Sequence, residues 1–432
     1  MRRRTFLSST GWASAGLASA ALAAAPQTAL PQTGRGKLKI TGIEFWRLEG
    51  RRETMAGANR QHQVQPLHIY DEHRPAPYRE GAGKSAVVPY NALYLTIKTD
   101  AGVDGIYGPI DTEAAVVVDR QLRALLTGKD PLAGELLWDL MHRSNRHSRA
   151  SHFMMAISAV DNALWDLRGR YFNAPVYRLL GGPTRPSVEA YGSCLGFSVE
   201  PEAVRQRCVA LKQQGFRHQK WFIAYGPGDG KLGLAKNVEL VRTLRESLGD
   251  EIEIMFDAFM GWHLDYAISW AKQVEQYRPR WIEEAFPMEK IDSFIQLRRS
   301  TSVPVATGEH FYGRWEVQEF LKAGAISVVQ ADPEWCGGVS ELVKICNLAS
   351  IYDAQVIPHG HSLHSALHVV ASQSPVTCPM VECLLNKMSY YYHFEKHSMM
   401  PVNGRIALSD RPGFGIEIDE AKVEKRTLVK WT

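Results

Sequence analysis

The fold is decided by three short apolar segments that each end in an acid: IEIMFD at residues 252–257, WIEE at 281–284 and VPVATGE at 303–309. A helical stretch follows each of them, so the chain repeats strand-helix units of about 25 residues. Such units imply right-handed crossovers and a parallel sheet. With at least about six successive units, closure into a barrel is the natural architecture. We therefore predict an α/β fold, a (β/α)7β TIM-like barrel, over residues 184–385.

A different pattern precedes the barrel. LKITGIEF at 38–45 and ALYLTIKT at 92–99 alternate apolar and polar residues, as strands do. Residues 112–180 carry apolar residues at helical spacing. This pattern predicts an N-terminal α+β capping domain over residues 38–183, and we expect residues 386–432 to return to it as a C-terminal segment.

The first 25 residues resemble a twin-arginine export signal. Arg3-Arg4 precede an Ala-rich run that ends at Ala25. About 15 apolar residues are fewer than the ~20 that a spanning helix needs, which favours cleavage over the alternative, an uncleaved anchor. Residues 26–37 are rich in Pro, Gly and Thr and are predicted to form a linker. We therefore predict a periplasmic protein, exported by the twin-arginine route and free of the membrane after cleavage.

Charge and cysteine content exclude several classes of protein. Lys and Arg total 50 and Asp and Glu total 46, a net charge of +4, and residues 2–4 contribute three of these positive charges. A mature chain near +1 gives no electrostatic support for binding nucleic acid. The six cysteines lack CxxC spacing, which argues against a thiolate zinc site. A small-molecule partner and a homo-oligomer are expected.

Each predicted barrel strand ends in a polar residue that can bind a metal ion or move a proton. In chain order these residues are Lys220, Asp257, Glu283, Glu309, Asp332, His359 and Glu382. From Asp257 onward the steps are 26, 26, 23, 27 and 23 residues, so the side chains recur at one phase of the repeating unit. The carboxyl ends of parallel barrel strands form one rim, where barrel enzymes hold their sites. We expect these side chains to converge there.

Three acids of this set predict a metal site. Asp257, Glu283 and Glu309 come from successive strands and offer the hard oxygen ligands that Mg²⁺ prefers. For each acid alone, the alternative is a cap for the next helix. Spacing also leaves Glu284 open in place of Glu283, because alternation along a strand points only one of two neighbours into the rim.

Asp332 and His359 predict a general base. They follow two neighbouring strands, and a carboxylate beside an imidazole fixes its tautomer and raises its basicity. For a lone histidine the alternative is a structural role.

Several motifs together resemble the enolase superfamily and, within it, the mandelate racemase group and the L-rhamnonate dehydratase family. They are residues 156–181, WIEE at 281–284, GEH at 308–310, WCGG at 335–338, PVNGRI at 401–406, and Asp332 with His359. The resemblance implies that Glu283 is the ligand. It also implies that Mg²⁺ binds the carboxylate of a sugar acid, L-rhamnonate or a related aldonate, and stabilises the enediolate formed on loss of the α-proton. Loss of the β-hydroxyl then gives a 2-keto-3-deoxy acid.

The resemblance also implies roles for other residues. Phe222 stands where many members carry the second lysine of Lys-x-Lys, which leaves His359 as the base and disfavours racemisation. Lys220 would then hold the substrate carboxylate, unless it is a lysine that extends to the surface. Glu382 is expected to donate a hydrogen bond to the enediolate if burial raises its pKa. His310 is expected to assist departure of the hydroxyl or to pack.

Residues 51–90 form a long stretch without periodicity, as in a functional lid or a disordered loop. Within it, Asp71-Glu72-His73 resembles a segment that the dehydratase family folds over its substrate, so His73 is a candidate substrate contact. Two rival functions stay open: a cycloisomerase or epimerase of the same superfamily, and a non-catalytic exported protein that binds sugar acids.

Overall fold

The computed structural model describes residues 38–54, 61–75, 86–397 and 399–431. The predicted export signal and the whole predicted linker lie outside these ranges, so both stay predictions. Across the described ranges, the strands form an antiparallel sheet and a larger, mainly parallel sheet. These two sheets belong to the capping domain and the barrel.

The capping domain begins with three strands and continues with helices. The strands are β1 (Ile40–Glu53), β2 (Val87–Thr99) and β3 (Gly105–Tyr107). The helices are α1 (Thr112–Val117), α2 (Arg123–Leu126), α3 (Gly134–Ser144), α4 (Ser151–Tyr171) and α5 (Val176–Leu179), with a π-helical segment, Val118–Leu122, between α1 and α2. Short 3₁₀ helices lie at Pro66–Ile69 and Asp71–His73.

The hairpin of β1 and β2 is longer than the sequence predicts. β1 continues to Glu53, which lies opposite Val87, so the ends of the predicted loop at 51–90 are strand. Alternation is weak in these last residues because the exposed ribbon has no buried face to dictate it, and the pairing with β2 holds them extended. The loop itself is correspondingly shorter.

The barrel consists of eight parallel strands separated by helices. The strands are β4 (Ser187–Ser193), β5 (His218–Phe222), β6 (Glu253–Asp257), β7 (Trp281–Glu283), β8 (Val305–Thr307), β9 (Val328–Val329), β10 (Gln355–Val356) and β11 (Met380–Leu384). The helices that connect them are α6 (Pro201–Gln213), α7 (Gly230–Leu248), α8 (Leu264–Val274), α9 (Ile291–Ser300), α10 (Arg314–Lys322), α11 (Gly338–Ile351) and α12 (Leu363–Ser372). Short 3₁₀ helices lie at Pro227–Asp229 and Glu275–Tyr277.

The strand order confirms the predicted barrel. The sheet runs β10-β9-β8-β7-β6-β5-β4-β11, so the last strand of the series lies beside the first. The amide of Val356 in β10 donates to the carbonyl of Thr377, just before β11, at 2.8 Å. With seven helices between eight strands, this is the (β/α)7β architecture.

The chain then crosses back to the capping domain. After α13 (Leu385–Tyr391), β12 (Arg405–Ala407) pairs with β4, and a 3₁₀ helix at Glu420–Lys422 leads into β13 (Lys425–Val429). β13 pairs with β1, which gives the antiparallel sheet the order β13-β1-β2-β3. The C-terminal segment thereby ties barrel and capping domain together.

The interior of the barrel is filled just below the rim. Its buried residues are Tyr191, Met255, Trp281, Ala306, Val328, Ile357 and Met380, each on or next to a barrel strand. Met255, Trp281, Ile357 and Met380 lie two residues before Asp257, Glu283, His359 and Glu382. Residues two apart along a strand face the same side, so each of these polar side chains stands directly above an apolar one.

Helix α4 fixes the loop after β9. Asp161 accepts hydrogen bonds from the backbone and the hydroxyl of Ser340, at 2.9 and 2.7 Å. The Asn162 amide donates to the carbonyl of Pro333 and accepts from the amide of Val339. These bonds satisfy the free N–H groups at the start of α11. They also give the capping-domain motif at 156–181 a structural role, because the loop carries Asp332.

Within the described ranges, no helix combines the length and the apolarity that a membrane crossing requires. All six cysteines are buried, free thiols.

Candidate active site

The polar residues at the strand ends converge at one rim of the barrel. All seven are buried, and His359 is the most exposed of them at 9%. They are Lys220 in β5, Asp257 and Glu283 at the ends of β6 and β7, Glu309, Asp332 and His359 just after β8, β9 and β10, and Glu382 in β11. Scattered surface charges would not meet in this way.

Asp257, Glu283 and Glu309 form a cluster that fits a divalent metal ion. One oxygen of each carboxylate lies within 4.8 Å of the others. Burial and the Glu283 carboxylate raise the pKa of Asp257 well above its usual range, and burial and Glu284 do the same for Glu309. A hard dication bound by these oxygens would relieve that repulsion. The indole of Trp281 donates to the far oxygen of Glu283 at 3.0 Å and orients its carboxylate.

Lys220 lies among these carboxylates. Its Nζ is 2.5 Å from Glu283 Oε1, 2.8 Å from Glu382 Oε1 and 3.4 Å from Asp257 Oδ2. Burial alone would lower the pKa of Lys220, but the carboxylates of Glu283 and Glu382 raise it well above its usual value. The side chain is fully buried, so the alternative of a lysine that extends to the surface is wrong.

Replacing Lys220 by Met is expected to destabilise the metal-free protein by about 3 kcal/mol or more, because it leaves buried carboxylates without their cation. Urea unfolding with a chelator present measures this loss. Mg²⁺ should restore more stability to K220M than to the wild type, because the dication replaces the missing charge. The exposed Lys272 supplies the control, K272M. Equal stability of K220M and K272M in chelator would contradict this electrostatic role.

The condition on which the prediction for Glu382 depends, a pKa raised by burial, is not met in this structure. Burial does act to raise the pKa of this carboxyl, but the ammonium of Lys220 and the imidazole of His359 outweigh it and lower the pKa to about 2. The backbone amide of Gly360 also donates to Glu382 Oε2 at 2.9 Å. An ionised carboxylate accepts hydrogen bonds and cannot donate one. Glu382 therefore positions Lys220 in this structure.

His359 and Asp332 form the expected pair. Nδ1 of His359 lies 2.7 Å from Asp332 Oδ2. The other ring nitrogen, Nε2, does not contact Asp332 and lies 3.7 Å from Glu309 Oε2. Burial alone would lower the pKa of His359, but Glu309, Asp332 and Glu382 raise it to about 9. The imidazole thus reaches the metal cluster with its free nitrogen. This is the orientation that a general base requires.

His310 is held by a residue that the sequence left open. Its Nδ1 lies 2.9 Å from Glu284 Oε1, and the Glu284 backbone has a left-handed φ of +43°. That conformation directs Glu284 to His310, whereas Glu283 contacts Lys220. Glu284, Glu309 and His310 are also close enough together to hold a metal ion, but His310 is engaged with Glu284.

Sequence reasoning missed Trp335 as a wall of the site. Its ring stacks on His310 and on His359, with centroid distances of 5.2 and 5.1 Å. The signal was present, because Trp335 opens the WCGG motif three residues after Asp332. The indole therefore packs against both imidazoles.

His73 does not join the other site residues. Its side chain is 46% exposed, and its contacts are Glu72, at 3.5 Å, and the Tyr70 ring. The segment that carries it nevertheless crosses the rim, since the amide of Val64 donates to the carbonyl of Ile223, just after β5, at 2.8 Å. In the part of the chain that the structure describes, no contact links His73 to the cluster.

A parallel barrel with an α+β cap and ligand carboxylates on three successive strands is the architecture of a metal-dependent barrel enzyme. Family models agree: "Enolase C-terminal domain-like" matches residues 203–422, and "Mandelate racemase / muconate lactonizing enzyme, N-terminal domain" matches residues 75–181. The chain belongs to the mandelate racemase/muconate lactonizing enzyme family of the enolase superfamily.

Individual relatives extend the comparison. An L-rhamnonate dehydratase of Saccharopolyspora erythraea is 31% identical over 368 residues, which cover 83% of this chain and 90% of that protein. The crystal structure of rhamnonate dehydratase from Gibberella zeae complexed with Mg has a TM-score of 0.75 at 27% identity and covers 91% of this chain and 98% of that one. A 3,6-anhydro-D-galactonate cycloisomerase from Zobellia galactanivorans has a TM-score of 0.71 at 26% identity, over 90% of this chain and 100% of that one.

Proposed function

We propose that this protein is a Mg²⁺-dependent hydro-lyase, an acid-sugar dehydratase that acts on L-rhamnonate or a related aldonate. One observation carries the proposal: the free nitrogen of His359 lies 3.7 Å from an oxygen of Glu309, so the base and the metal ligands face the same point. The similarity to rhamnonate dehydratases supports the substrate class. The product is a 2-keto-3-deoxy acid.

Asp257, Glu283 and Glu309 would hold the metal ion, as their buried and mutually repelling oxygens favour. When bound, Mg²⁺ supplies positive charge that stabilises the enediolate. Lys220 adds a fixed positive charge on the same side, next to Glu283. Because Glu309 raises the pKa of His359, compensation of the Glu309 charge lowers that pKa toward the range of an effective general base.

His359 removes the α-proton through Nε2 while Asp332 holds Nδ1. The C–H electron pair moves into the carboxylate and forms the enediolate. The electron pair of the enediolate then forms the Cα–Cβ double bond as the Cβ–O bond breaks. The departing hydroxide takes a proton from His310 and leaves as water. The resulting enol rearranges to the ketone. Burial alone would lower the pKa of His310, but its bond to Glu284 raises it above its ordinary value, which favours the protonated imidazole that this step needs.

The second face of the site argues against racemisation. Phe222, two residues after Lys220 in β5, is buried, and its ring centroid lies 5.3 Å from Lys220 Nζ. The position of a second base on this strand is therefore occupied by a residue that cannot accept a proton. A 1,1-proton transfer needs a base on each face. Elimination or cycloisomerisation needs only the one that His359 provides.

Exchange of the α-proton in D₂O tests the proposal. The wild type with Mg²⁺ is incubated with a panel of five- and six-carbon aldonates, including L-rhamnonate, and NMR follows the α-proton and the product. We expect exchange and a 2-keto-3-deoxy acid with at least one aldonate. An anhydro-aldonate is added to the panel for the rival function: its isomerisation, with no product from any open-chain aldonate, would support a cycloisomerase. Binding without exchange or product would support a binding protein, and either result would refute the dehydratase.

We also infer export to the periplasm and assembly into a homo-oligomer. The export signal carries the first inference, and residues 1–25 lie outside the described ranges. N-terminal sequencing of the protein from a periplasmic fraction tests it: a start beyond residue 20 supports cleavage. Intact residues 1–25 on the isolated protein would contradict it.

A further inference from the structure

A lysine on the helix after β11 lies at the edge of the site and has no role in the chemistry above. Nζ of Lys387, in α13, lies 2.8 Å from Nδ1 of His361. Because the ammonium can only donate, Nδ1 accepts and the imidazole proton is on Nε2. Nε2 lies 3.9 Å from Asp111 Oδ2, in the capping domain just before α1. The three side chains therefore form a chain from the barrel to the cap.

This chain adjoins the catalytic pair. The His361 ring lies 5.1 Å from the Trp335 ring, which also stacks on His359. The backbone amide of His361 donates to Asp332 Oδ2 at 3.2 Å. Lys387 is thus separated from Trp335, a wall of the site, by the single imidazole of His361.

Lys387 and Asp111 keep groups available for a ligand. The Asp111 side chain is 44% exposed, and Lys387 is only partly buried. An ammonium has three donors, and the bond to His361 uses one of them. Burial lowers the pKa of Lys387 to about 8, against the effect of Asp332 and Asp111, so such a donor is poorly hydrated and gains from a hydroxyl partner.

We propose that Lys387 and Asp111 form a subsite for the hydroxyl groups of the substrate tail, the end remote from the carboxylate. The subsite rests on the proposed function and narrows its substrate class. An ammonium donor and a carboxylate acceptor on either side of His361 match successive hydroxyls of a polyol chain, which both donate and accept. A second carboxylate would be attracted by Lys387 but would face Asp111 with like charge, whereas hydroxyls are complementary to both groups. The subsite therefore selects aldonates with a neutral polyol tail over aldarates.

Calorimetric binding tests the subsite in Mg²⁺-loaded His359→Asn, the reference protein, which keeps the three metal ligands but lacks the base for turnover. The three probes are L-rhamnonate, glycerate, which lacks a tail, and galactarate, which has a second carboxylate. We expect Lys387→Met and Asp111→Asn each to weaken L-rhamnonate binding by about 10- to 100-fold, the value of hydrogen bonds to charged groups. Glycerate binding should be unchanged, and the reference protein should prefer L-rhamnonate to galactarate. The exposed Lys322 supplies the control, K322M.

Each other outcome overturns the subsite. Equal weakening of glycerate and L-rhamnonate would place the effect at the reaction centre or in folding, and no weakening in either variant would show that the tail binds elsewhere. Tighter binding of galactarate would reverse the assigned charge preference. If the wild type neither binds nor exchanges any aldonate, the proposed function fails first, and the D₂O assay shows this independently of the variants.

Discussion

Replacement of His359 by Asn is expected to lower α-proton exchange and product formation by about 10²- to 10⁴-fold, the usual contribution of a general base. Asn keeps a polar side chain near Asp332 but cannot take up a proton. Mg²⁺ binding should survive, because His359 is not among the three ligand acids. The measurement is the D₂O exchange rate with the best aldonate, together with a Mg²⁺ titration.

His147 provides a matched control. It is exposed in the loop between α3 and α4, and H147N makes the same chemical change away from the rim. Exchange by H147N should match the wild type. If H359N kept full exchange while remaining folded, the base would have to be another residue, and the assignment of the His359–Asp332 pair would be wrong.

Glu309→Gln is expected to weaken Mg²⁺ binding by at least about 100-fold. Changing a residue that only orients a metal ligand already lowers metal affinity by up to about 100-fold, and Glu309 is a ligand itself. An amide removes the charge that a hard dication requires. Glu309 also contacts His359, so the rate of α-proton exchange should stay below that of the wild type even when the variant is saturated with Mg²⁺. Mg²⁺ stabilises the folded state that binds it, so the shift in melting temperature with Mg²⁺ reports the affinity.

Glu319 is exposed on α10 and serves as the control for this change. E319Q should keep the Mg²⁺-dependent shift of the wild type. A full shift in E309Q would show that Glu309 is not a ligand. The second possible metal site, formed by Glu284, Glu309 and His310, would then be excluded as well, because it includes the same Glu309 carboxylate.

The repeat of the barrel made its rim predictable from sequence. Because each strand-helix unit has nearly constant length, Asp257, Glu283 and Glu309 could be assigned to one phase, and the structure places them together. The pairing of Asp332 with His359 follows from the same argument, since their strands are neighbours in the sheet. Periodicity carries this information because it fixes which strand ends meet.

What periodicity could not give is the electrostatic environment. Lys220 is in β5 and Glu382 in β11, 162 residues apart, yet the Lys220 ammonium is the main cause that lowers the pKa of Glu382. Burial alone predicted a raised pKa for Glu382, and the ammonium reverses it. Glu283 contacts Lys220 and Glu284 contacts His310 because the Glu284 backbone has a left-handed conformation, which residue spacing does not reveal.

The most direct test of the account is the position of a bound dication. Mn²⁺ substitutes for Mg²⁺ at oxygen ligands and gives an anomalous signal in diffraction from crystals of the protein. We predict one peak about 2.1 Å from a carboxylate oxygen of each of Asp257, Glu283 and Glu309, on the side that His359 Nε2 faces. A peak bound by other residues, or none at saturating Mn²⁺, would contradict it.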